Sequence, residues 1–403
     1  MTADPPRAPD VGVISPPFVA LAIATLAFFV AGGIVLPVAS LYAKGPLGTD
    51  AAGVGVALGS FSIAALVMRP FVGWASDRFG RRPLLIGGSA VTVVALLLHL
   101  PATSVPSFVA VRALLGVGEA FFFVAALAAA ADLAPANRRG EAISFLSLSL
   151  YLGLAIGPVI GETVLGLTSY AGVWLLAAVV AGVAAGLSWI TPETAPGVEP
   201  GVAAQSRRGR LIHPAGIFPG LLIMSGIWGM GGFLAFLPLH AVKLGLSGAG
   251  PALALFAGIV VALRILGARL PDRLGAARLS GAALGVSALG LAILGLAPGV
   301  GGLLLGTAVF AVGVAFTFPA LMALAVSRVP PAERGSVVGT ASAFLDVAFG
   351  IAPASLGLIA DASGYPGAFL VSAIIAAGGS LLLVIRRDAA RVDEARTGDV
   401  AAV

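Results

Sequence analysis

Long apolar runs, separated by short stretches rich in Gly, Pro and charged residues, follow one another along most of the chain. Many runs reach the roughly 18 residues needed to cross a bilayer as a helix. The ten-residue alternation of a membrane β-barrel is absent from the sequence. Dividing the runs at Pro, Gly and charge predicts twelve helices, at about 18–42, 52–76, 83–101, 106–131, 140–164, 168–190, 215–241, 249–270, 278–297, 300–326, 336–360 and 366–386. The pattern predicts an all-α polytopic membrane protein.

Composition supports this prediction and removes several classes of site. The chain is 59% hydrophobic and only 10% charged, with a mean hydropathy of +1.06, whereas soluble proteins are about a quarter charged. Its 55 glycines favour close helix packing in lipid. There is no cysteine, and the three histidines lack metal-ligand spacing, so we expect neither a disulfide nor a metal site. No phosphate-cradling loop is found, so no nucleotide or other cofactor is expected.

The distribution of Lys and Arg predicts an orientation. Of the 23 such residues, eighteen lie in the two tails and the loops after even-numbered helices, and only Lys44 and Lys243 lie on the other side. Three more, Arg69, Arg112 and Arg264, fall inside predicted helices. The positive-inside rule therefore places both termini in the cytoplasm. Because the arginines occupy short loops rather than one basic face, nucleic acid is not an expected partner.

The charged stretch GWASDRFGRR at 73–82 has a degraded second copy, GARLPDRLGAAR at 267–278. Matching positions are 195 residues apart, as in the pairs Arg69 and Arg264, Asp77 and Asp272, Arg78 and Arg273, Gly140 and Gly335, and Pro158 and Pro353. This constant offset predicts a duplicated six-helix bundle: residues 1–190, a linker at 191–212, and residues 213–403. An even number of helices per copy gives parallel repeats, an arrangement found in secondary transporters.

Three motifs give the chain a family resemblance over essentially its whole length. The first motif, G-x-x-x-D-R-x-G-R-R, is matched by Gly73, Asp77, Arg78, Gly80, Arg81 and Arg82. The second, R-x-x-x-G-x-G, is matched by Arg112, Gly116 and Gly118. The third, G-x-x-x-G-P-x-x-G, is matched by Gly153, Gly157, Pro158 and Gly161. The chain thus resembles the major facilitator superfamily, and the third motif is typical of its drug/proton antiporter branch. Glu162 stands where that motif often has a second glycine.

The resemblance implies a gating role for the charged loop. Asp77 and its neighbouring arginines, with Asp272 and Arg273 in the second copy, would hold the two bundles together on the cytoplasmic side when the protein opens outward. We expect Gly73 to permit close helix approach and Gly80 to permit a tight turn. The alternative is that the charges only anchor the topology.

The glycine face of the fifth helix is expected to be kinked at Pro158. We expect it to pack against the eleventh helix and to seal the protein against proton leak. Ordinary packing of small residues is the alternative explanation.

Two acidic residues fall near the middle of predicted spans: Glu119 in the fourth helix and Asp346 in the eleventh. A charge at this depth costs about 2.5–3.5 kcal/mol on insertion scales, so both are candidates for proton or substrate binding. Arg112, seven residues before Glu119, lies on the same helix face about 10 Å away and is a candidate for coupling. Arg69 and Arg264 are expected to have structural roles, with guanidinium groups that reach the membrane–water interface.

A substrate cavity is expected between the bundles, lined by helices 1, 4, 5, 7, 10 and 11. Its candidate aromatic residues are Phe28, Phe121, Tyr151, Trp228, Phe316 and Phe344, and Tyr151 is also a candidate for coupling or substrate contact. Aromatic rings beside carboxylates suit amphipathic cations. The first helix, however, has no charged residue in its predicted span.

The leading functional prediction is an exporter of the bacterial inner membrane that exchanges protons for a small amphipathic molecule or drug. The alternatives are a proton symporter or a uniporter for a small nutrient or metabolite in the same fold. Against sugars, no predicted span contains Asn. A receptor or scaffold would favour a large soluble domain, and an enzyme a clustered nucleophile or metal set; neither is seen in the sequence. By resemblance, we expect a monomer whose partners are its substrate, protons and the lipid bilayer.

Overall fold

The structure is a computed structural model that describes residues 14–135, 138–194, 213–267, 270, 274–326, 329–330 and 334–400. Within these residues the chain forms eleven long helical elements. They are α1 (Pro16–Lys44), α2 (Ala51–Phe79), α3 (Arg81–Leu98), α4 (Val105–Leu133), α5 (Arg139–Leu167), α6 (Tyr170–Ile190), α7 (Pro214–Lys243), α8 (Gly250–Leu266), α9 (Ala276–Leu296), α10 (Gly299–Val326) and α11 (Arg334–Val400).

The last element, α11, contains both the predicted eleventh and twelfth helices. Its backbone leaves the helical conformation at Gly364, where φ is 76° and ψ is 172°. Glycine tolerates this positive φ because it has no Cβ. Gly364 lies between the predicted spans 336–360 and 366–386. In the described part of the chain, ten helices are long and apolar enough to cross a membrane, and α8 is a shorter apolar helix of 17 residues.

Polar side chains define where several helices begin. The carboxylate of Asp50 accepts a hydrogen bond from the amide of Gly53 at 2.7 Å, and Ser104 and Ser107 form a reciprocal capping box at the start of α4. These contacts satisfy amide groups that have no partner inside the helix. Capping thus fixes the turns between apolar runs to within a few residues of the predicted boundaries.

We refer to α1–α6 as the N-terminal half and to α7–α11 as the C-terminal half. Equivalent helices make equivalent contacts in each: α1 packs on α5 and α7 on α11, while α2 packs on α4 and α8 on α10. The halves meet mainly where α2 contacts α11, where α5 contacts α8 and where α1 contacts α7. We call the end of the bundle at which α2 joins α3 the arginine-rich end, and the other the opposite end.

The glycine face of α5 packs against α1, and the expectation that it would pack against the eleventh helix is wrong. A Cβ added at Gly157 would lie 2.6 Å from the Cα of Gly33, and one at Gly161 would lie 2.1 Å from the carbonyl oxygen of Ile34. Close backbone approach requires small residues on both helices. Since α1 supplies Gly33 at this crossing, the motif seals a contact inside the N-terminal half.

The eleventh helix uses its own small residues to meet α2 across the boundary between the halves. A Cβ added at Gly59 would lie 2.2 Å from the carbonyl oxygen of Gly350, and one at Gly55 would lie 2.0 Å from that of Pro353. The same crossing continues to Gly357, which lies against the backbone of Ala51. The two halves are therefore in backbone contact along the part of α2 that leads to the opposite end.

Candidate transport site between the two halves

An ion pair joins α2 to α11 between the halves. Nη2 of Arg69 lies 2.9 Å from Oδ1 of Asp346. The side chain of Asp346 is 7% exposed and that of Arg69 is 27% exposed. The second carboxylate oxygen, Oδ2, is buried and has no hydrogen-bond partner among the described residues. Asp346 thus joins the halves through one oxygen, while its other oxygen is unpaired among the described residues.

Glu119 on α4 belongs to the same charged cluster. It is half-buried and lies within electrostatic range of both Arg69 and Asp346. The two acidic residues that stood out in the sequence are therefore brought together with one arginine. We call Arg69, Glu119 and Asp346 the charged cluster. With both carboxylates ionised it carries a net charge of −1, so a single proton makes it neutral.

Arg112 lies on α4 but takes no part in the ion pair of this cluster. Its side chain is buried, its guanidinium carbon lies 5.4 Å from the centre of the Phe61 ring, and Nε has no hydrogen-bond partner in the described part of the chain. A cation over an aromatic face gains a modest stabilisation. The predicted coupling role of Arg112 stays a prediction.

A second contact between the halves joins α8 to α5. The guanidinium carbon of Arg264 lies 3.6 Å from the centre of the Tyr151 ring, so the two groups are stacked. Nε of Arg264 is buried without a hydrogen-bond partner among the described residues. Tyr151 was a predicted site residue, whereas Arg264 was expected to be structural. The structure places both at the boundary between the halves.

At the opposite end, two carboxylates cap helices of the other half. Asp361 of α11 accepts hydrogen bonds from the amides of Ala51 and Ala52 at 2.8 and 2.9 Å, at the start of α2. Glu162 of α5 accepts from the amide of Gly250, at the start of α8. A carboxylate is favoured at a helix N-terminus by free amide groups and by the helix dipole. These caps hold the halves together at the opposite end.

The loop between α2 and α3 turns at Gly80, whose φ of 96° confirms the expected tight turn. Gly73 differs from expectation: among the described residues, a Cβ there would meet nothing within 4 Å, so none of the described helices approaches it closely. Arg78 lies 5.5 Å from the ring of Trp74 and 5.8 Å from that of Phe79. The N-terminal part of the motif therefore lies open at the arginine-rich end.

The contacts described for Arg81 and Arg82 are made within the N-terminal half. Nε of Arg81 lies 3.2 Å from Oδ2 of Asp132, at the end of α4. The guanidinium of Arg82 donates to the carbonyl of Trp189, and the carboxylate of Glu193 accepts from the backbone amides of Arg81 and Arg82 at 2.8 and 3.1 Å. Glu193 thus caps α3 from the segment that follows α6.

Part of the predicted gate lies outside the described residues. Asp272 and Arg273 of the second copy lie outside them. So do residues 195–212 of the predicted linker. The side chain of Asp77 is also outside the described part of the structure. The predicted contact between bundles at this loop stays a prediction.

Two of the predicted cavity aromatics of the N-terminal half, Phe28 and Phe121, pack inside that half. Phe28 is 4% exposed and stacks on Phe122, with ring centres 4.0 Å apart. Phe121 is half-buried and its ring centre lies 6.4 Å from that of Phe71. These rings support the core formed by α1, α2 and α4.

The predicted cavity aromatics of the C-terminal half, Trp228, Phe316 and Phe344, are partly buried. Phe344 of α11 lies against Gly220 of α7, and Phe316 of α10 lies against Gly267, three residues after Arg264. Trp228 packs at the border of two apolar clusters. Phe316 therefore lies against the residue that follows Arg264 by three positions on the same helix end.

The importance of Arg69 and Arg264 was missed in the sequence, although the signal was present. The offset of 195 residues that relates Arg69 to Arg264 also relates Asp346 to Tyr151. The two contacts between the halves are therefore repeat-equivalent. The same offset, applied to every charged residue in the predicted spans, identifies Arg69 and Arg264 as equivalent positions of the two repeats.

The fold, the internal repeat and the intramembrane charges define a multi-pass integral membrane protein of a transporter class. A family-level match to the Major Facilitator Superfamily covers residues 21–301 and 252–401. The chain belongs to the Major Facilitator Superfamily, whose members are transporters and not enzymes.

Similar proteins occur in bacteria. An uncharacterized MFS-type transporter of Salmonella typhimurium is 31% identical over 359 residues, which is 87% of this chain and 91% of the relative. One of Burkholderia mallei is 29% identical over 362 residues, covering 88% of each chain. The similarity therefore extends through both halves.

Solved transporter structures share the fold. The human organic anion transporter MFSD10 matches with a TM-score of 0.70 at 17% identity, over 92% of this chain and all of that one. A POT family transporter in complex with a thioalcohol-conjugated peptide matches with a TM-score of 0.77 at 12% identity, over 91% of this chain and 95% of that one. The nucleoside transporter NupG matches with a TM-score of 0.72 at 15% identity, over 93% and 99%. At these identities the likeness concerns the fold alone.

Proposed function

We propose that this protein is a secondary transporter of a bacterial inner membrane that exports a small amphipathic molecule or drug in exchange for protons. It works by alternating access, as a monomer, between a bundle of residues 1–190 and one of residues 213–403, joined by a cytoplasmic linker at 191–212. The observation that carries the proposal is the charged cluster: an ion pair across the boundary between the halves, with a second carboxylate beside it.

The cluster couples protonation to the contact between the halves. When Asp346 is ionised it attracts Arg69 and holds α11 against α2. A proton on Asp346 removes that charge, and a proton on Glu119 changes how strongly Arg69 is shared between the two carboxylates. Either event weakens or shifts a contact that must change when the halves rock. Protonation of the cluster therefore favours a different arrangement of the halves from the one shown here.

The motif on the fifth helix favours export, and the structural neighbours bear on the kind of substrate. The motif at Gly153, Gly157, Pro158 and Gly161 is typical of drug/proton antiporters, and its close contact with α1 keeps the N-terminal half rigid as it moves. The structural neighbours include an organic anion transporter, a nucleoside transporter and a POT family transporter in complex with a thioalcohol-conjugated peptide. Together they support a small organic substrate and leave its direction to experiment.

The topology follows from charge and from the break in α11. We propose twelve spans, with the eleventh ending and the twelfth beginning at Gly364. The excess of Lys and Arg places the arginine-rich end and both termini in the cytoplasm. In this orientation the helix caps formed by Asp361 and Glu162 lie on the outer side of the membrane, so the described conformation is closed to the outside.

Proton flux in proteoliposomes with an imposed pH gradient tests the proposal. Amphipathic compounds are added one at a time to wild type, Glu119→Gln and Asp346→Asn. We expect at least one compound to dissipate the gradient in wild type and to fail in one of the carboxyl variants. Asp50→Asn is the matched control, because this acidic residue caps its own helix and Asn is an equally good cap.

Three results would contradict the proposal in different ways. Normal coupling in both carboxyl variants would remove the cluster from the mechanism. Proton entry together with an incoming substrate would show symport. Equilibration of a compound without proton movement would show a uniporter.

A further inference from the structure

The second copy of the charged cluster has kept its arginine and lost both of its acidic residues. The offset of 195 residues relates Arg69 to Arg264, Asp346 to Tyr151 and Glu119 to Val314. In the first copy the arginine pairs with a carboxylate at 2.9 Å. In the second copy the equivalent arginine stacks on the tyrosine that replaces that carboxylate.

Arg264 is therefore a cation without a counter-ion among the described residues. Its described contact is the ring of Tyr151, and its Nε is buried without a hydrogen-bond partner. An arginine inside a membrane span without a carboxylate partner is costly and is rarely kept without a function. Arg264 as a whole is half-buried, so part of the residue is exposed.

We propose that Arg264 and Tyr151 form a binding site for the anionic group of an amphipathic molecule. The planar guanidinium offers paired N–H donors that match a carboxylate, sulfonate or phosphate. The hydroxyl of Tyr151 has no hydrogen-bond partner among the described residues and adds a further donor. Phe316, which lies against Gly267 near the end of α8, supplies an aromatic surface for the apolar part of the ligand.

The position of this site suits a transported ligand better than a structural ion. Arg264 belongs to α8 of the C-terminal half and Tyr151 to α5 of the N-terminal half. An anion that contacts both residues is bound by both halves at once, so its affinity changes when the halves move. This inference rests on the proposed transport function only in taking the boundary between the halves as the place where the substrate binds.

Thermal unfolding of the purified full-length protein in detergent tests the site without any pH gradient. The probes are 2-naphthoate, 2-naphthylmethylammonium and 2-naphthylmethanol, which share one apolar body and differ in charge. A parallel arm adds the anionic lipid phosphatidylglycerol, with phosphatidylcholine as its neutral control. We expect an anion to raise the unfolding temperature of wild type more than its cationic and neutral partners. Stabilisation by naphthoate identifies a soluble organic anion, and stabilisation by phosphatidylglycerol alone identifies a lipid headgroup.

Two variants should remove the effect for different reasons. Arg264→Gln deletes the cation, and Tyr151→Asp recreates the ion pair of the first copy and so occupies the guanidinium. Each should weaken anion binding by about tenfold or more, as expected for loss of a charge-assisted contact. Arg264→Lys retains the charge and should preserve the preference for anions. Tyr151→Phe retains the ring and should have a smaller effect than Tyr151→Asp.

Tyr151→Asp also separates binding from folding. Because it supplies a counter-ion, it should raise the unfolding temperature of the ligand-free protein while lowering its response to anions. A merely structural contact between Arg264 and Tyr151 would not give opposite changes in the same variant. If Arg264→Gln does not fold, Tyr151→Asp still decides the question.

Equal stabilisation by anions of wild type and Tyr151→Asp would overturn the inference. So would a preference of wild type for the ammonium probe, or no response to any anion in either arm. The proposed function is judged separately, by proton flux in Glu119→Gln and Asp346→Asn. Loss of anion binding in Tyr151→Asp alongside normal proton coupling in both carboxyl variants would support the anion site and contradict the proton mechanism.

Discussion

Arg69 and Asp346 join the two halves of the protein through one ion pair of 2.9 Å, set between α2 and α11. The pair lies on the same helix crossing as the backbone contact between Gly59 and Gly350. Because small residues bring the two helices together, the long side chain of Arg69 can reach the carboxylate from the neighbouring half. The ion pair and the glycine contact therefore form a single interface.

Removing one partner of this pair should cost more than removing both. Asp346→Leu leaves Arg69 without its carboxylate and should lower the free energy of unfolding by about 3 kcal/mol. Replacing both, as Arg69→Met with Asp346→Leu, removes the unpaired charge and should recover most of that loss. Unfolding in mixed micelles with a rising fraction of dodecyl sulfate measures the difference, and proton flux should be lost in both variants. A double variant as unstable as the single one would show that the pair is not coupled as described.

The cap that Asp361 places on α2 should keep the opposite end closed. Because the natural chain has no cysteine, Ala51→Cys gives a single thiol at a position that is 2% exposed. Asp361→Ala in that background should speed thiol labelling by about tenfold, as expected for losing hydrogen bonds to a charged group. Asp50→Ala removes a cap from the same helix without touching the other half and should have little effect. Equal acceleration by both variants would mean local fraying of α2.

Gly157→Ala tests the packing of α5 on α1. The added Cβ would lie 2.6 Å from the Cα of Gly33, which is backbone and cannot rotate away. Overpacking of this kind costs about 1–3 kcal/mol. Gly166→Ala is the control on the same helix, because its Cβ would meet nothing within 4 Å. Gly157→Ala should lower the unfolding temperature, and Gly166→Ala should not. Equal unfolding temperatures of the two variants would contradict the described contact.

His99, which follows α3 at the opposite end, should make stability depend on pH. The pKa of His99 is lowered from 6.5 to about 4, chiefly by burial; a hydrogen bond to the carbonyl of Ala95 opposes this shift, and the nearby Arg112 adds to it. Between these two pH values the unfolded chain binds a proton that the folded protein does not. The contribution of His99, about 3 kcal/mol, is present above pH 6.5 and is lost as the pH falls to about 4. Unfolding of His99→Gln should therefore show a flatter pH profile than wild type, and parallel profiles would contradict the assignment.

The helices could be predicted closely because the bilayer imposes long apolar runs and because glycine, proline and charge interrupt them. The first ten predicted spans begin and end near α1–α10, and Gly364 divides the final element where the sequence predicted a turn. The pairing of helices was harder to predict. The glycine face of α5 has the same spacing whichever helix it meets, so the pattern alone did not show that α1 supplies the partner Gly33.

The candidate site was predicted in part. Glu119 and Asp346 were found because a carboxyl group is costly in the middle of a span. Arg69 and Arg264 were assigned to helix ends because a long side chain can reach the interface from there. Only the structure shows that both arginines turn toward the other half, one to an aspartate and one to a tyrosine.

The cap of α2 by Asp361 also affects how the protein is made. The amide of Ala51 and its acceptor are 310 residues apart in sequence. During synthesis the N-terminal half therefore enters the membrane with the first amides of α2 still lacking this carboxylate, and it waits for most of the remaining chain to be translated. Water or the lipid headgroups must satisfy those amides in the meantime. The start of α2 thus receives this cap only when α11 arrives, so each nascent molecule passes through a stage in which its first half is inserted and this contact is not yet made.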